Sequence, residues 1–215
     1  MEKVELVIFD MDGLMFDTER LAKTCWQEGA KEFGFTVSAE VLDRTIGRTA
    51  PDTRKIMLEV LGEDFPYEKA RIKKDELMLD FVEKNGTPVK PGLYELLDFL
   101  EEKKIKKAVA TSTEKLRAEK LLKKAEVFSR FDAVIFGDMV ERGKPFPDIF
   151  QKAAEVCGCD EKNCIVLEDS PAGVEAAWRC KMPVYFIEDI AKPLSDTKEK
   201  YKKALDSLKD VIYLL

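Results

Sequence analysis

The chain has 215 residues, with 42 acidic groups, 36 basic groups and no histidine. A net charge of −6 argues against a nucleic-acid binder, which usually carries a basic excess, and hydrophobic and charged shares of 45% and 36% are those of a soluble globular protein. The missing histidine excludes a Ser-His-Asp triad, a histidine general base and a histidine zinc site, leaving acid–base work to carboxylates, lysine, cysteine, tyrosine or water.

In chain order, VELVIF (4–9) is an apolar, β-rich run that stops abruptly at Asp10, the pattern of a buried strand delivering side chains at its carboxyl end. A helical block follows over roughly 17–85, with Leu21, Cys25, Ala30 and Phe33 at helical spacing, then Ile56, Leu58, Val60 and Leu61. Asn85-Gly86-Thr87-Pro88 breaks the pattern. From there helices and strands alternate. YELLDFLEEK reads as helix and IKKAVA (105–110) as strand; EKLRAEKLLKKAEV is helix and AVIF (133–136) strand. PDIFQKAAEV is helix and CIVLE (164–168) strand; PAGVEAAWRC is helix and PVYFI (183–187) strand. This alternation predicts an α/β fold with a parallel sheet covered on both faces, which the first strand must join to satisfy its backbone. The helical block then reads as an insertion, giving a core of 1–16 with 87–215 and a second domain of 17–86. The charged segment 191–210 is expected to end in a helix and a short final strand.

The cysteines, Cys25, Cys157, Cys159, Cys164 and Cys180, are odd in number. The opening MEKVELVIFD has acids at 2 and 5 and no leader pattern, and no apolar run reaches transmembrane length. We read a cytoplasmic protein with reduced core thiols and no membrane or nucleic-acid partner. The spacing C-x-C-x4-C lacks the C-x2-C pairs of thiolate metal sites.

Ligands of open parallel sheets bind beyond the carboxyl ends of the strands. There stand Asp10, Met11, Asp12 and Gly13 after the first strand and Thr111, Ser112 and Thr113 after the second. Gly143-Lys144-Pro145 lies past the third, and Glu168, Asp169 and Ser170 follow the fourth. Converging carboxylates repel one another and need a cation, and hard oxygen ligands suit Mg²⁺. The hydroxyls and lysine are donors for an anion, and a helix start near 112–114 can point at it, so together they describe a phosphoryl site. Asp10 is then a nucleophile that forms an aspartyl phosphate, and Asp12 gives a proton to the leaving oxygen and takes one from water. Taken singly, each group also has a plainer reading: a turn for D-x-D, helix caps for Thr111–Thr113 and Ser170, a solvated charge for Lys144.

VIFDMDGLMFDTE, AVATST, GKPFPDIF and VLEDSPAGVEAA, in this order, resemble the four motifs of the haloacid dehalogenase superfamily, in its phosphatase and β-phosphoglucomutase-like branch. The resemblance spans essentially the whole chain. It implies a Rossmann-like core with a small helical cap inserted after the first motif, Asp10 as nucleophile and Asp12 as acid/base. It implies Mg²⁺ held by Asp10, the Asp12 carbonyl and Asp169, with Glu168 a ligand or just outside the ligand shell. Thr111 and Lys144, with Ser112 nearby, would bind the phosphoryl group. Dehalogenases of the superfamily lack the second acid, so Asp12 favours phosphoryl chemistry. The cap is expected to hinge near Met15–Thr18 and Lys84–Pro88.

β-Phosphoglucomutases of this branch carry a histidine where this chain has Ala22 and a cap arginine where it has Ala50, with Arg48 displaced by two. The expectation is therefore a magnesium-dependent phosphomonoesterase acting on a small phosphorylated metabolite, a sugar phosphate in particular. A mutase is the alternative, with Arg48 or Lys73 as the substitute cap cation. Arg48 reads equally as a solvated helix end. A receiver-like phosphoacceptor domain, the non-enzyme alternative, fits less well, because AVATST ends without an acid. A monomer is compatible with the sequence, which does not fix the oligomeric state.

Overall fold

A short apolar strand has no stability alone; it must find neighbours for its backbone and cover for both faces. In the computed structural model, which describes residues 3–45, 50–190 and 198–215, β1 (Leu6–Phe9) finds both. It lies between β2 (Lys106–Ala110) and β4 (Cys164–Glu168), pairing in parallel with each. With β3 (Ala133–Ile135), β5 (Val184–Ile187) and β6 (Lys203–Leu205) they form a six-stranded parallel sheet in the order β3-β2-β1-β4-β5-β6. The expected α/β architecture is thus present. The order reverses direction at β1, the place where such sheets open a crevice.

The chain forms two compact units, Met1–Asp17 with Thr87–Leu215, and Thr18–Gly86. In the first, α5 (Leu93–Glu102), α6 (Lys115–Lys124), α7 (Asp148–Cys157) and α8 (Pro171–Arg179) connect the strands. Leu6, Ile8, Ala110, Val166 and Phe186 share one core with Phe150 of α7 and Val174 of α8. The alternate residues Val7, Phe9, Val109 and Leu167 are just as buried, so these strands are apolar throughout rather than alternating.

The second unit holds α1 (Thr18–Lys31), α2 (Ala39–Asp43), α3 (Ala50–Leu61) and α4 (Tyr67–Asn85). Ser38 caps α2, accepting from the Val41 amide at 3.4 Å. Its core gathers Trp26, Ala30, Leu42, Met57, Phe65 and Tyr67. Trp26 and Tyr67 stack with ring centroids 5.5 Å apart. Gly29 lets α1 approach α4 closely, since a Cβ there would come within 3.2 Å of the Ala70 carbonyl oxygen.

The segment expected to run helix then strand does the reverse among its described residues. β6 extends the sheet edge, and a 3₁₀ turn follows over Leu208–Tyr213. Leu205, Leu208 and Val211 are buried, a period of three, which suits a 3₁₀ turn and leaves the lysine-rich stretch before it without an apolar helical stripe. No described helix is long and apolar enough to cross a membrane.

Candidate active site

The carboxyl ends of β1, β2 and β4 meet at one lysine. Lys144, in the loop after β3, has a side chain only 6% exposed. Its ammonium donates to Asp10 Oδ1, to Glu168 Oε1 at 2.6 Å and to the Ala110 carbonyl at 3.1 Å, and lies 5.1 Å from the Phe150 ring centre. It is a buried partner of two carboxylates, not the solvated charge it resembles in isolation.

Asp10 is buried as β1 ends, its amide bonded to the Leu167 carbonyl at 3.0 Å. The chain then folds back at once. The Met15 and Phe16 amides both return to the Met11 carbonyl, and Gly13 (φ +89°) donates to the Phe16 carbonyl at 2.8 Å. A Cβ on Gly13 would stand 2.1 Å from Asp169 Oδ2. Glycine is needed here for its positive φ and for the room that the Asp169 carboxylate occupies.

Glu168 is fully buried and satisfied on both oxygens. Lys144 takes Oε1; Oε2 accepts from the Asp169 amide (3.0 Å), the Ser170 amide (2.9 Å) and the Ser170 hydroxyl (2.9 Å). Ser170 also caps α8, accepting from the Gly173 amide at 3.0 Å, with Pro171 opening the helix. Asp169 is different: it is buried, and its Oδ1 meets no hydrogen-bond donor among the described residues.

One oxygen from each of Asp10, Glu168 and Asp169 lies within 4.8 Å of the others. Three buried carboxylates thus face one ammonium. Burial pushes the Asp10 carboxyl up to about 8, with Lys144 pulling it down and Glu168 and Asp12 adding to the rise. Burial, then Asp10 and Glu168, push Asp169 well above the usual carboxylate range, and Asp189 adds to this. Burial works against the Lys144 charge, but its contacts with Asp10 and Glu168 outweigh that and raise it above the usual lysine value. Such a set, all hard oxygens with one orphaned, fits a small divalent cation such as Mg²⁺.

The second strand contributes hydroxyls. Thr111 is buried and its Oγ1 accepts from the Thr113 amide at 3.0 Å. Thr113 Oγ1 donates to Asp12 Oδ2 at 2.7 Å. These threonines do not cap α6, whose N-cap position is Glu114, without a side-chain bond. Ser112 is exposed, and its carbonyl oxygen would stand 2.2 Å from a Cβ on Gly137, so glycine lets the two loops meet.

Asp10, Glu168, Asp169 and Lys144 are therefore brought together, and Asp12 is linked to the Thr111–Thr113 turn. Lys73 belongs to the other unit, where its ammonium lies 2.8 Å from Glu32 and 4.0 Å from Glu76. Arg48 lies outside the described residues. The linear sequence places Gly13 and Thr113 at the strand ends but does not show that Gly13 makes room for Asp169 or that Thr113 serves Asp12, and it does not single out Gly137 or Gly173. The sequence reading left out the fifth strand exit, Glu188-Asp189, where Asp189 Oδ1 accepts from Lys90 at 2.6 Å. Reading that strand end like the other four would have found it.

A family model described as haloacid dehalogenase-like hydrolase matches residues 7–187. A phosphorylated carbohydrates phosphatase of Thermotoga maritima is 34% identical over 178 residues, 81% of this chain and 80% of the relative. The beta-phosphoglucomutase of Bacillus subtilis is 28% identical over 181 residues, 80% of this chain and 78% of the relative. In fold, the chain resembles CbbY of Rhodobacter sphaeroides, crystallised with phosphate, at a TM-score of 0.81 and 22% identity, over 97% of this chain and 96% of that one.

Proposed function

This chain belongs to the haloacid dehalogenase-like hydrolases and is an enzyme, and from that premise we propose that it is a magnesium-dependent phosphomonoesterase acting on a small phosphorylated carbohydrate. The observation that carries the reading is the buried cluster of Asp10, Glu168 and Asp169 around Lys144, with Asp169 Oδ1 lacking a donor among the described residues.

Asp10 and Asp169, with the Asp12 carbonyl, would hold Mg²⁺, while Glu168, already satisfied on both oxygens, anchors Lys144. When bound, the cation supplies positive charge against the phosphate and the crowded carboxylates. An Asp10 oxygen attacks phosphorus and the bond to the sugar oxygen breaks. Asp12 passes a proton to that leaving oxygen, leaving an acyl phosphate on Asp10. Water then attacks the same phosphorus, Asp12 takes its proton, and orthophosphate departs. Lys144 and the Thr111–Ser112 turn hold the phosphoryl oxygens. Thr113 fixes the Asp12 carboxylate by donating to Oδ2, so the acid that serves both half-reactions keeps one position.

The test is hydrolysis of an aryl phosphate and a panel of sugar phosphates with and without Mg²⁺. Asp10→Asn should lower turnover by at least about a thousandfold while the chain still folds. Turnover surviving that change removes the nucleophile assignment. Likeness to a beta-phosphoglucomutase supports adding β-glucose 1-phosphate with its bisphosphate activator. Isomerisation without phosphate release would favour the mutase over the phosphatase.

A further inference from the structure

The carboxyl end of β5 carries charged groups that the reaction above does not use. Parallel pairing sets Phe186 opposite Glu168, so β5 leaves the sheet beside the strand that delivers Asp169. Two residues past β5, Asp189 has a side chain 1% exposed. Its Oδ1 accepts from the Lys90 ammonium at 2.6 Å, and the Lys90 side chain is itself 16% exposed. Lys90 is tied to the loop that follows Asp10, since its amide donates to the Met15 carbonyl at 2.9 Å. That loop carries Gly13, on which the Asp169 carboxylate rests. The pair is thus joined to two of the elements that carry the acidic cluster, the strand beside β4 and the loop after β1. Asp169 senses Asp189 as a repelling charge.

A buried ion pair is costly as a structural link, because neither charge recovers its hydration in full. Beside a cation site it has a second effect. The anion deepens the negative potential at the cluster, and its paired cation limits that deepening. We propose that Asp189 strengthens Mg²⁺ binding through its fixed charge, without ligating the ion, and that Lys90 restrains the pull and sets the affinity. The inference rests on reading the Asp10–Asp169 cluster as a magnesium site.

The opposite signs of the two charges give the test. Mg²⁺ is titrated calorimetrically into the chelator-treated full chain at fixed pH and low ionic strength. Asp189→Asn, which keeps the shape, should weaken binding about tenfold, and Lys90→Met, which keeps the stem, should tighten it about threefold. The Mg²⁺ concentration for half-maximal activity should move the same way. A purely structural pair would weaken binding in both variants, and that result, or an Asp189→Asn change under about twofold, overturns the proposal. Should Asp189→Asn fail to melt cooperatively, Lys90→Met decides alone: tighter binding supports the proposal and unchanged or weaker binding overturns it. Failure of the unaltered chain to bind Mg²⁺ overturns the site reading and this inference with it, which separates the two.

Discussion

The two ends of the central sheet bury different chemistry. At the amino end of β4 sit Cys164 and, just before it, Cys157 and Cys159, all free thiols. Burial pushes Cys164 up to about 12 and Cys157 up to about 11, so they stay neutral. Cys164 and Cys159 bond backbone carbonyls, at 3.2 Å to Asp160 and 3.6 Å to Cys157. At the carboxyl end of the same sheet, burial acts on carboxyls instead. There the fold supplies a lysine, a fan of amides and a glycine-lined recess, and among the described residues Asp169 Oδ1 still meets no donor. At this end burial crowds carboxyls together and raises Asp10 and Asp169, so a cation brought to them would be welcome. At the other end burial acts on thiols, which are neutral at ordinary pH anyway and pack as core.

The strongest way to break this contrast is to remove the built-in cation. Lys144→Met should destabilise the chain by about 3 kcal/mol or more near neutral pH, because it leaves buried carboxylates without their partner. Urea unfolding reads the loss, and mildly acidic buffer should recover part of it by protonating the cluster. Equal stability at both pH values would mean that the carboxyls do not need the ammonium.

The pH dependence of the unaltered chain sharpens the same point. In chelator-treated protein, folded Asp10 keeps a proton to about 8 that the unfolded chain releases near 3.8. The folded state therefore binds more protons, and stability should fall as pH rises from about 4 to 8, by up to about 1.4 kcal/mol per pH unit for each proton retained. Saturating Mg²⁺, which favours the ionised form, should flatten the slope. Thermal melting across that range, with and without the cation, tests this, and a slope indifferent to Mg²⁺ would count against the site. The smallest effect belongs to the other end of the sheet. Cys159→Ser, at a half-buried position, should change stability by no more than about 0.5 kcal/mol and leave Mg²⁺ affinity unaltered by calorimetry.

Much of this was legible in the linear sequence because strand ends are punctuated. VELVIF stops at Asp10 and CIVLE at Glu168, and buried parallel strands leave little doubt about where side chains emerge. What the sequence hid depends on approach in space. Gly173 resembles any small helix residue, yet a Cβ there would stand 1.7 Å from Glu168 Oε1. Thr113 resembles a helix cap, yet it serves an acid 101 positions away. The stretch around Leu205–Val211 misled because its buried residues recur every third position, a spacing that a short charged segment shares with helix and turn alike.

The place of β1 in the middle of the sheet has a consequence for synthesis. Leu6 faces Lys106 on one side and Cys164 on the other, so the first strand of this sheet to be made waits for both partners. Such distant pairing is slow to close, and the nascent strand meanwhile offers two bare edges to chaperones or to misassociation. The same arrangement keeps a half-made polypeptide inert: Asp10 emerges early, but it meets Lys144 and Glu168 only after the ribosome has passed residue 168.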